Sequence, residues 1–211
     1  MWFSLFLPFL GTAIGAGAAL GVPMGSRRGN AALAGAAGGA MLAACLWNLL
    51  LPALETGRLL ALAGFALGLT ALLLPERLAG SRLPAGSALM LAVVLHNIPE
   101  GLAVGAGDSA GLTLGIALQN IPDGAVAAVP LLALGCSRRK AFGWGVLSGA
   151  VEPLAAAAVI ALSPAQSSWM PLLPGVAAGA MLFVILRELA PKIADSSWGT
   201  VCFAVGFLLL L

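Results

Sequence analysis

The fold is decided by a long apolar stretch, residues 86–106, which reads GSALMLAVVLHNIPEGLAVGA. Its length matches the roughly 20 residues with which an α-helix crosses the hydrocarbon core of a bilayer. The whole chain has the same character, because 61% of its 211 residues are hydrophobic and only 9% are charged. A typical soluble domain has about 25% charged residues. The composition therefore excludes soluble enzymes, nucleic-acid-binding proteins and disordered chains, and it predicts an integral membrane protein.

Seven further apolar stretches are separated by charged residues or by clusters of proline, glycine and serine. They lack the strict apolar–polar alternation of barrel strands, so all are predicted to be helices. Many of the 28 glycines recur with alanine at small-xxx-small spacing, which lets neighbouring helices pack closely. We therefore predict an all-α membrane protein that forms one eight-helix transmembrane bundle, a single transmembrane domain over residues 1–211. Its spans are 2–22, 31–54, 58–75, 86–106, 111–134, 140–162, 171–190 and 197–211.

The basic residues predict how the bundle is oriented in the membrane. Nine of the ten Lys and Arg residues lie in or beside the connections between spans one and two, three and four, five and six, and seven and eight. On the other side there is only Arg58. Because Lys and Arg are enriched in cytoplasmic loops, we expect a multi-pass protein of the cell (inner) membrane whose two termini are both extracytoplasmic.

Two similar hexapeptides lie within neighbouring spans, HNIPEG at residues 96–101 of span four and QNIPDG at residues 119–124 of span five. On a helix, positions i and i+4 share one face, so each hexapeptide places its first residue beside its acid. A proline cannot donate a backbone hydrogen bond, so Pro99 and Pro122 are each expected to free a carbonyl oxygen and to kink their helix. The two central spans are thus predicted to bend where their polar side chains cluster.

Three acidic residues are predicted to lie deep in the membrane, namely Glu100, Asp123 and Glu152. An ionisable residue at that depth costs roughly 2.5–3.5 kcal/mol on insertion scales. Three carboxylates of like charge are stable together only when they are protonated or share cations. With the single histidine, His96, and nearby amides they form a mainly oxygen ligand set, which suits zinc, ferrous iron, manganese or cadmium. The alternative is that these groups only join helices through hydrogen bonds.

This combination of motifs resembles the ZIP family of divalent metal transporters. The resemblance rests on the His-Asn-x-Pro-Glu-Gly motif, on the second motif one helix later and on the acid–proline pair Glu152-Pro153 in the following span. The glutamine that begins the second motif resembles the bacterial GufA-type branch, as do residues 36–55 and 175–191, which share the sequence Gly-Ala-Met-Leu. These two stretches run in opposite directions through the predicted bundle, so they indicate an inverted repeat, with simple Ala/Gly richness as the alternative.

The resemblance implies a transporter whose substrate is a divalent metal ion, zinc first and iron, manganese or cadmium as alternatives, with no catalytic residue and no cofactor. Its other partner is membrane lipid, and homodimerisation is an open alternative. A competing function is an intramembrane metal-dependent enzyme, but a zinc protease of the H-E-x-x-H type needs two histidines and the chain has one. A metal-binding membrane protein that transports nothing, or a passive channel, is the other alternative.

The resemblance also implies which side chains hold the metal in a mono- or binuclear site between helices four, five and six. The first set of ligands consists of His96, Glu100, Gln119 and Asp123. The second set consists of Asn97, Glu100, Asn120, Asp123 and Glu152, with Glu100 and Asp123 bridging the two ions. In the GufA-type branch a methionine of helix two also contacts the first ion. Met41 fits that position here, and packing in the core is the equal alternative.

Two single residues and one pair of residues depart from the family pattern. Asp123 stands where the family usually has glutamate, so its carboxylate reaches less far. Asn120 stands where GufA-type proteins commonly have an acid, so the second site is expected to bind metal weakly. The pair Arg187-Glu188 replaces a commonly acidic or histidine-containing pair at the inner end of helix seven, which leaves Glu188 as the candidate ligand on the exit path.

Overall fold

The computed structural model describes residues 2–21, 26–71, 85–107, 110–162 and 168–210. The predicted loop between spans three and four lies almost wholly outside these ranges, as does the side chain of His96. Every regular element among the described residues is helical. The helices are α1 (Trp2–Ala18), α2 (Arg27–Ala43), α3 (Leu51–Ala71), α4 (Ala85–Ala106), α5 (Ala110–Ala133), α6 (Arg138–Gly149), α7 (Val151–Leu162), α8 (Leu172–Val184), α9 (Ala190–Ala194) and α10 (Ser197–Leu209).

Short segments of other helical types extend or join these helices. A 3₁₀ turn, Ala19–Gly21, extends α1. Two π-helical segments, Ala44–Leu50 and Ile185–Leu189, join α2 to α3 and α8 to α9. The long stretch formed by α2, its π-helical segment and α3 is divided by one non-helical residue, Gly57, with φ −168° and ψ 79°. This residue stands at the predicted boundary between spans two and three.

Four helical stretches within the described residues are long and apolar enough to cross a membrane: Arg27–Ala71, Ala110–Leu132, Arg138–Ala161 and Leu172–Ala194. The first has 45 residues, which is about twice the length of a single crossing. Two shorter apolar helical stretches, Leu5–Gly21 and Ser197–Leu209, accompany them. The prediction of an all-helical bundle suited to a membrane is therefore confirmed, and the count of eight spans stays a prediction.

Local sequence explains where several helices begin. Serine side chains accept a hydrogen bond from a backbone N–H group of the first turn and so cap the starts of α2, α6 and α10, as serine commonly does. Predicted span six is interrupted between α6 and α7 at Ala150. Pro153 follows in the first turn of α7, where its missing N–H costs nothing. The interruption places Glu152 at the start of a helix rather than in its middle.

Glycines bring four pairs of helices into close contact, α1 with α5, α2 with α10, α3 with α8 and α4 with α7. In the first pair, a Cβ atom added to Gly15 would overlap the backbone carbonyl oxygen of Ile121. In the last pair, a Cβ atom added to Gly101 would overlap the carbonyl oxygen of Glu152. The distance between the helices at these contacts is therefore set by contact of one backbone with the other, as the small-xxx-small pattern of the sequence predicts.

The two Gly-Ala-Met-Leu stretches, in α2 and α8, lie in matching environments. Their methionines, Met41 and Met181, are both fully buried, and each stretch leads into a π-helical segment. Leu49 and Leu189 are buried within those segments. Shared local structure of this kind is what an internal repeat produces, and the inverted repeat itself stays a prediction.

Candidate metal centre

The three predicted deep acids are buried among four helices. Glu100 lies on α4, Asp123 on α5 and Glu152 in the first turn of α7, and α1 packs against both α5 and α7. The exposed fractions of these three side chains are 0%, 8% and 1%. Three carboxylates are thus withdrawn from solvent on helices that contact one another.

Each of the first two acids follows a proline inside its helix, Pro99 in α4 and Pro122 in α5. Because proline has no N–H group, one backbone hydrogen bond is missing beside each acid. The helices run on through both prolines. The bends expected there stay predictions.

Both carboxylate oxygens of Glu152 accept hydrogen bonds from neighbouring helices. Thr12 Oγ1 in α1 donates to Oε1 at 2.9 Å, and Asn120 Nδ2 in α5 donates to Oε2 at 2.8 Å. The same amide nitrogen lies 3.4 Å from the carbonyl oxygen of Pro8 in α1. Because both oxygens are bonded, α1 and α5 together hold this side chain in place.

A second hydrogen bond joins the two hexapeptides. Gln119 Nε2 donates to Glu100 Oε1 at 2.9 Å, so the first residue of the second motif contacts the acid of the first motif. Asn97 instead donates from Nδ2 to the backbone oxygen of Ser148 at 2.9 Å, near the end of α6. The motif on α4 is thereby linked to both α5 and α6.

Two buried amide oxygens, Gln119 Oε1 and Asn120 Oδ1, have no hydrogen-bond donor within the described part of the chain. Each amide nitrogen faces a carboxylate, which accepts hydrogen bonds, so each amide oxygen points elsewhere. A buried acceptor that lacks a donor costs about 1–3 kcal/mol. Divalent metal ions take amide oxygens as ligands, so a cation would satisfy both atoms.

The charges of Glu100 and Asp123 both act on Glu152. Like charges in a low-dielectric interior repel one another strongly. The amide groups of Gln119 and Asn120 and the hydroxyl of Thr12, which donate to Glu100 and Glu152, carry no formal charge and only moderate the repulsion. A divalent cation would neutralise two of the three carboxylates, and this electrostatic argument agrees with the one from the amide oxygens.

His96 and Met41 are the remaining predicted ligands. The side chain of His96 lies outside the described residues. Met41 is buried in an apolar cluster with Val104, Ile116 and Met181, which is the packing role that the sequence offers as its alternative. In the described ranges, no three His, Cys, Asp or Glu side chains are arranged to hold a metal ion. The structure instead joins Glu100 to Gln119 and Glu152 to Asn120 by hydrogen bonds.

Thr12 is the residue of this site that the sequence patterns do not reveal. It is 2% exposed and lies where α1, α5 and α6 meet, since Cβ atoms added to Gly124 or Gly149 would both collide with it. A neutral hydroxyl is inexpensive in an apolar helix because it can bond to its own backbone, as Thr12 Oγ1 also does with Pro8 O at 3.4 Å. The available signal is a polar residue between the glycines of the first apolar stretch.

Comparison with known proteins gives consistent results. A family model described as "ZIP Zinc transporter" matches residues 76–211. Zinc transporter ZIPB of Bordetella bronchiseptica is 32% identical over 236 residues, which cover 96% of this chain and 76% of that protein. Zinc transporter ZIP11 of Homo sapiens is 38% identical over 146 residues, which cover 58% of this chain and 41% of that protein.

A further similar protein is zinc transporter GufA of Myxococcus xanthus, which is 40% identical over 111 residues. These cover 49% of this chain and 43% of that protein. The chain thus spans less than half the length of the human and Myxococcus proteins and about three quarters of the Bordetella protein, 76%.

Proposed function

Because this chain belongs to the ZIP zinc transporter family, we propose that it transports divalent metal ions, zinc above all, across the cell (inner) membrane. Ferrous iron, manganese and cadmium are alternative substrates, since a ligand set of oxygen atoms with one imidazole nitrogen suits each of them. The metal is the transported substrate, and ZIP proteins such as its relatives are transporters rather than enzymes.

The observation that carries this proposal is the group of buried carboxylates beside two amide oxygens that lack donors. Glu100, Asp123 and Glu152 concentrate negative charge inside the bundle, and the oxygens of Gln119 and Asn120 add neutral ligand atoms. A divalent ion relieves the repulsion and fills the open acceptor positions. A group whose only role is to join helices would have no need of such acceptors.

We propose one tight ion rather than two of equal affinity. The tight ion is held by His96, Glu100, Gln119 and Asp123. The other set includes Asn120, which is neutral and stands where an acid is expected. One negative charge fewer beside a divalent ion lowers its binding free energy. The neutral Asn120 therefore supports a weak second site.

The proposed topology has eight spans in a single domain, with both termini extracytoplasmic. The long stretch Arg27–Ala71 supplies spans two and three, on either side of Gly57. Helices α6 and α7 together form span six, and α8, its π-helical segment and α9 form span seven. Large apolar side chains face outward, for instance Leu59 at 84% and Leu154 at 69% exposure, which supports contact with lipid.

The matching π-helical segments that follow the two Gly-Ala-Met-Leu stretches support an inverted repeat. In the proposed topology these stretches run in opposite directions and flank the helices that carry the polar site. Inverted repeats around central broken helices are a common plan of carriers that expose one site to each side in turn. Polarity in this chain is concentrated at one site, which favours such a carrier over a channel with a continuous polar lining.

Zinc flux into proteoliposomes tests the proposal. The unmodified protein is expected to carry zinc, and Glu100→Gln is expected to lose most of the flux because a central carboxylate becomes neutral. Glu55→Gln is the matched control, since Glu55 is an exposed acid on α3, and it should retain the flux. Normal flux in Glu100→Gln would refute the site, and zinc binding without any flux in the unmodified protein would instead identify a binding protein that does not transport.

A further inference from the structure

A cleft with a volume of about 160 Å³ opens where the start of α2 meets the ends of α5 and α9. Its polar lining consists of Arg27 and Asn30 from α2, Lys192 from α9 and Asp195 immediately after α9. These helix ends belong to the side of the bundle that the basic residues predict to face the cytoplasm. The cleft therefore lies at the level of the lipid headgroups, away from the metal site.

The cleft carries a net positive charge. Arg27 and Lys192 contribute two cations, and Asp195 contributes one carboxylate. Arg27 also stands in the first turn of α2, where backbone N–H groups without helical partners add about half a positive charge. The cleft is consequently matched to a ligand group with a single negative charge, and Asn30 can add a neutral hydrogen bond.

The inner wall of the same cleft is apolar. Leu33 of α2 is half-buried there, and Val129 of α5 is 7% exposed. An inorganic anion gains nothing from such a wall, because a strongly hydrated ion avoids apolar surface. A ligand with a negative head and an apolar body would bury its apolar part against these side chains. The lining therefore distinguishes an amphipathic anion from a simple one.

We propose that this cleft binds the phosphate group of an anionic phospholipid. Arg27 and Lys192 hold the phosphate, and Leu33 and Val129 contact the glycerol and the first acyl carbons. The ligand class follows from the position, because the cytoplasmic leaflet carries anionic lipids and basic clefts between helices on that side recognise their headgroups. Helix α5 also carries Asp123, Gln119 and Asn120 of the candidate metal site. A lipid bound in the cleft therefore links this helix to α2 and α9.

Binding of phosphatidylglycerol to the full chain in neutral detergent, measured by native mass spectrometry across a lipid titration, tests the proposal. Each basic side chain near an anionic surface contributes about 1 kcal/mol, or about fivefold in affinity. The double variant Arg27→Gln, Lys192→Gln is therefore expected to bind the lipid at least about tenfold more weakly. The double variant Arg139→Gln, Lys140→Gln removes the same charge from the exposed start of α6, outside the cleft, and should leave the affinity nearly unchanged.

A third variant changes the affinity in the opposite direction. Asp195→Asn removes the one acid of the cleft and is expected to strengthen binding of phosphatidylglycerol, a gain that misfolding cannot produce. Equal losses in the two double variants, or no gain in Asp195→Asn, would overturn the proposal. So would equally tight binding of phosphatidylcholine, or full competition by inorganic phosphate at the concentration of the lipid, which would identify a site for a free anion.

Discussion

The hydroxyl of Thr12 donates a hydrogen bond of 2.9 Å to Oε1 of Glu152, from α1 to α7. The other carboxylate oxygen accepts from Asn120, so both oxygens accept hydrogen bonds from neighbouring helices. A metal ion that binds Glu152 shares these oxygens with the donors, because each oxygen has a second lone pair, and it weakens the hydrogen bonds that they accept. The stronger the hydrogen bonds from Thr12 and Asn120 are, the smaller is the free energy that a metal ion gains by binding Glu152.

Thr12→Val removes the hydroxyl and keeps the shape of the side chain. A buried oxygen of Glu152 that loses its donor lowers the free energy of unfolding by about 1–3 kcal/mol, so the variant without added zinc is expected to unfold at a lower temperature. Zinc should then raise its unfolding temperature more than it raises that of the unmodified protein, because the metal meets less competition at Glu152. Thermal unfolding in detergent, with and without zinc, measures both effects. Thr12→Ser keeps the donor and should behave like the unmodified protein; if it resembles Thr12→Val, the role of Thr12 is packing.

Asn120→Asp adds a negative charge beside Glu152 and removes the amide donor that engages it. A unit charge about 4 Å from another contributes about 4 kcal/mol at an effective dielectric constant of 20, before desolvation is subtracted. Even a net gain of about 1.4 kcal/mol strengthens binding tenfold, so the second zinc ion is expected to bind at least that much more tightly. Calorimetric titration of the detergent-solubilised protein counts the ions and their affinities. Two equally tight ions in the unmodified protein would show that the missing charge is without effect.

The orientation of the bundle can be read from labelling of single cysteines by a membrane-impermeant maleimide. Ser26→Cys and Ser168→Cys place thiols at two exposed positions on opposite sides of the predicted membrane. The background replaces the half-buried Cys136 and Cys202 by alanine and keeps the buried Cys45. Intact cells should label only the cysteine at position 168, and permeabilised cells should label both. The reverse pattern would invert the topology.

Gly101→Ala tests the backbone contact between α4 and α7. The added Cβ atom would overlap the carbonyl oxygen of Glu152 and approach Ala155, and crowding of this kind costs about 1–3 kcal/mol. The variant is expected to unfold at a lower temperature and to lose zinc affinity, because Glu100 and Glu152 are forced apart. Gly143→Ala is the matched control, since no described atom lies within 4 Å of its Cβ position. It should be neutral or slightly stabilising, as alanine favours a helix over glycine by about 1 kcal/mol. Equal stability of the two variants would show that the contact between α4 and α7 is not tight.

Much of the fold can be predicted from the sequence because few backbone structures are stable in lipid. A segment without water to bond its N–H and C=O groups must form a helix or a strand of a closed barrel. Since the alternation of barrel strands is missing here, apolar length predicts where helices lie. The burial of Glu100, Asp123 and Glu152 follows in the same way from their apolar surroundings. The similarity of the two hexapeptides likewise predicts that their polar side chains converge, and Gln119 does bond to Glu100.

Other features depend on packing that leaves little trace in the sequence. The hydrogen-bond partner of Asn97 is the backbone oxygen of Ser148. Every residue has such a carbonyl group, so the sequence does not indicate which one will be accessible at a helix end. The role of Thr12 is not predicted because a hydroxyl in an apolar helix has a low free-energy cost. Unlike an ionisable group, it therefore does not mark a functional site. The two π-helical segments have different sequences, ACLWNLL and ILREL, so they arise from the fit between helices rather than from a shared local preference.

Main-chain contact between Gly101 and Glu152 holds α4 and α7 at a distance that does not depend on the side chains projecting between them. A substitution at Glu100 on α4 or at Glu152 on α7 then exchanges one donor atom for another while the spacing of these two helices stays fixed. Altered metal preference in such a frame needs only single substitutions and no rebuilding of the bundle. The glycine, rather than any ligand, is the residue on which that freedom to diversify depends.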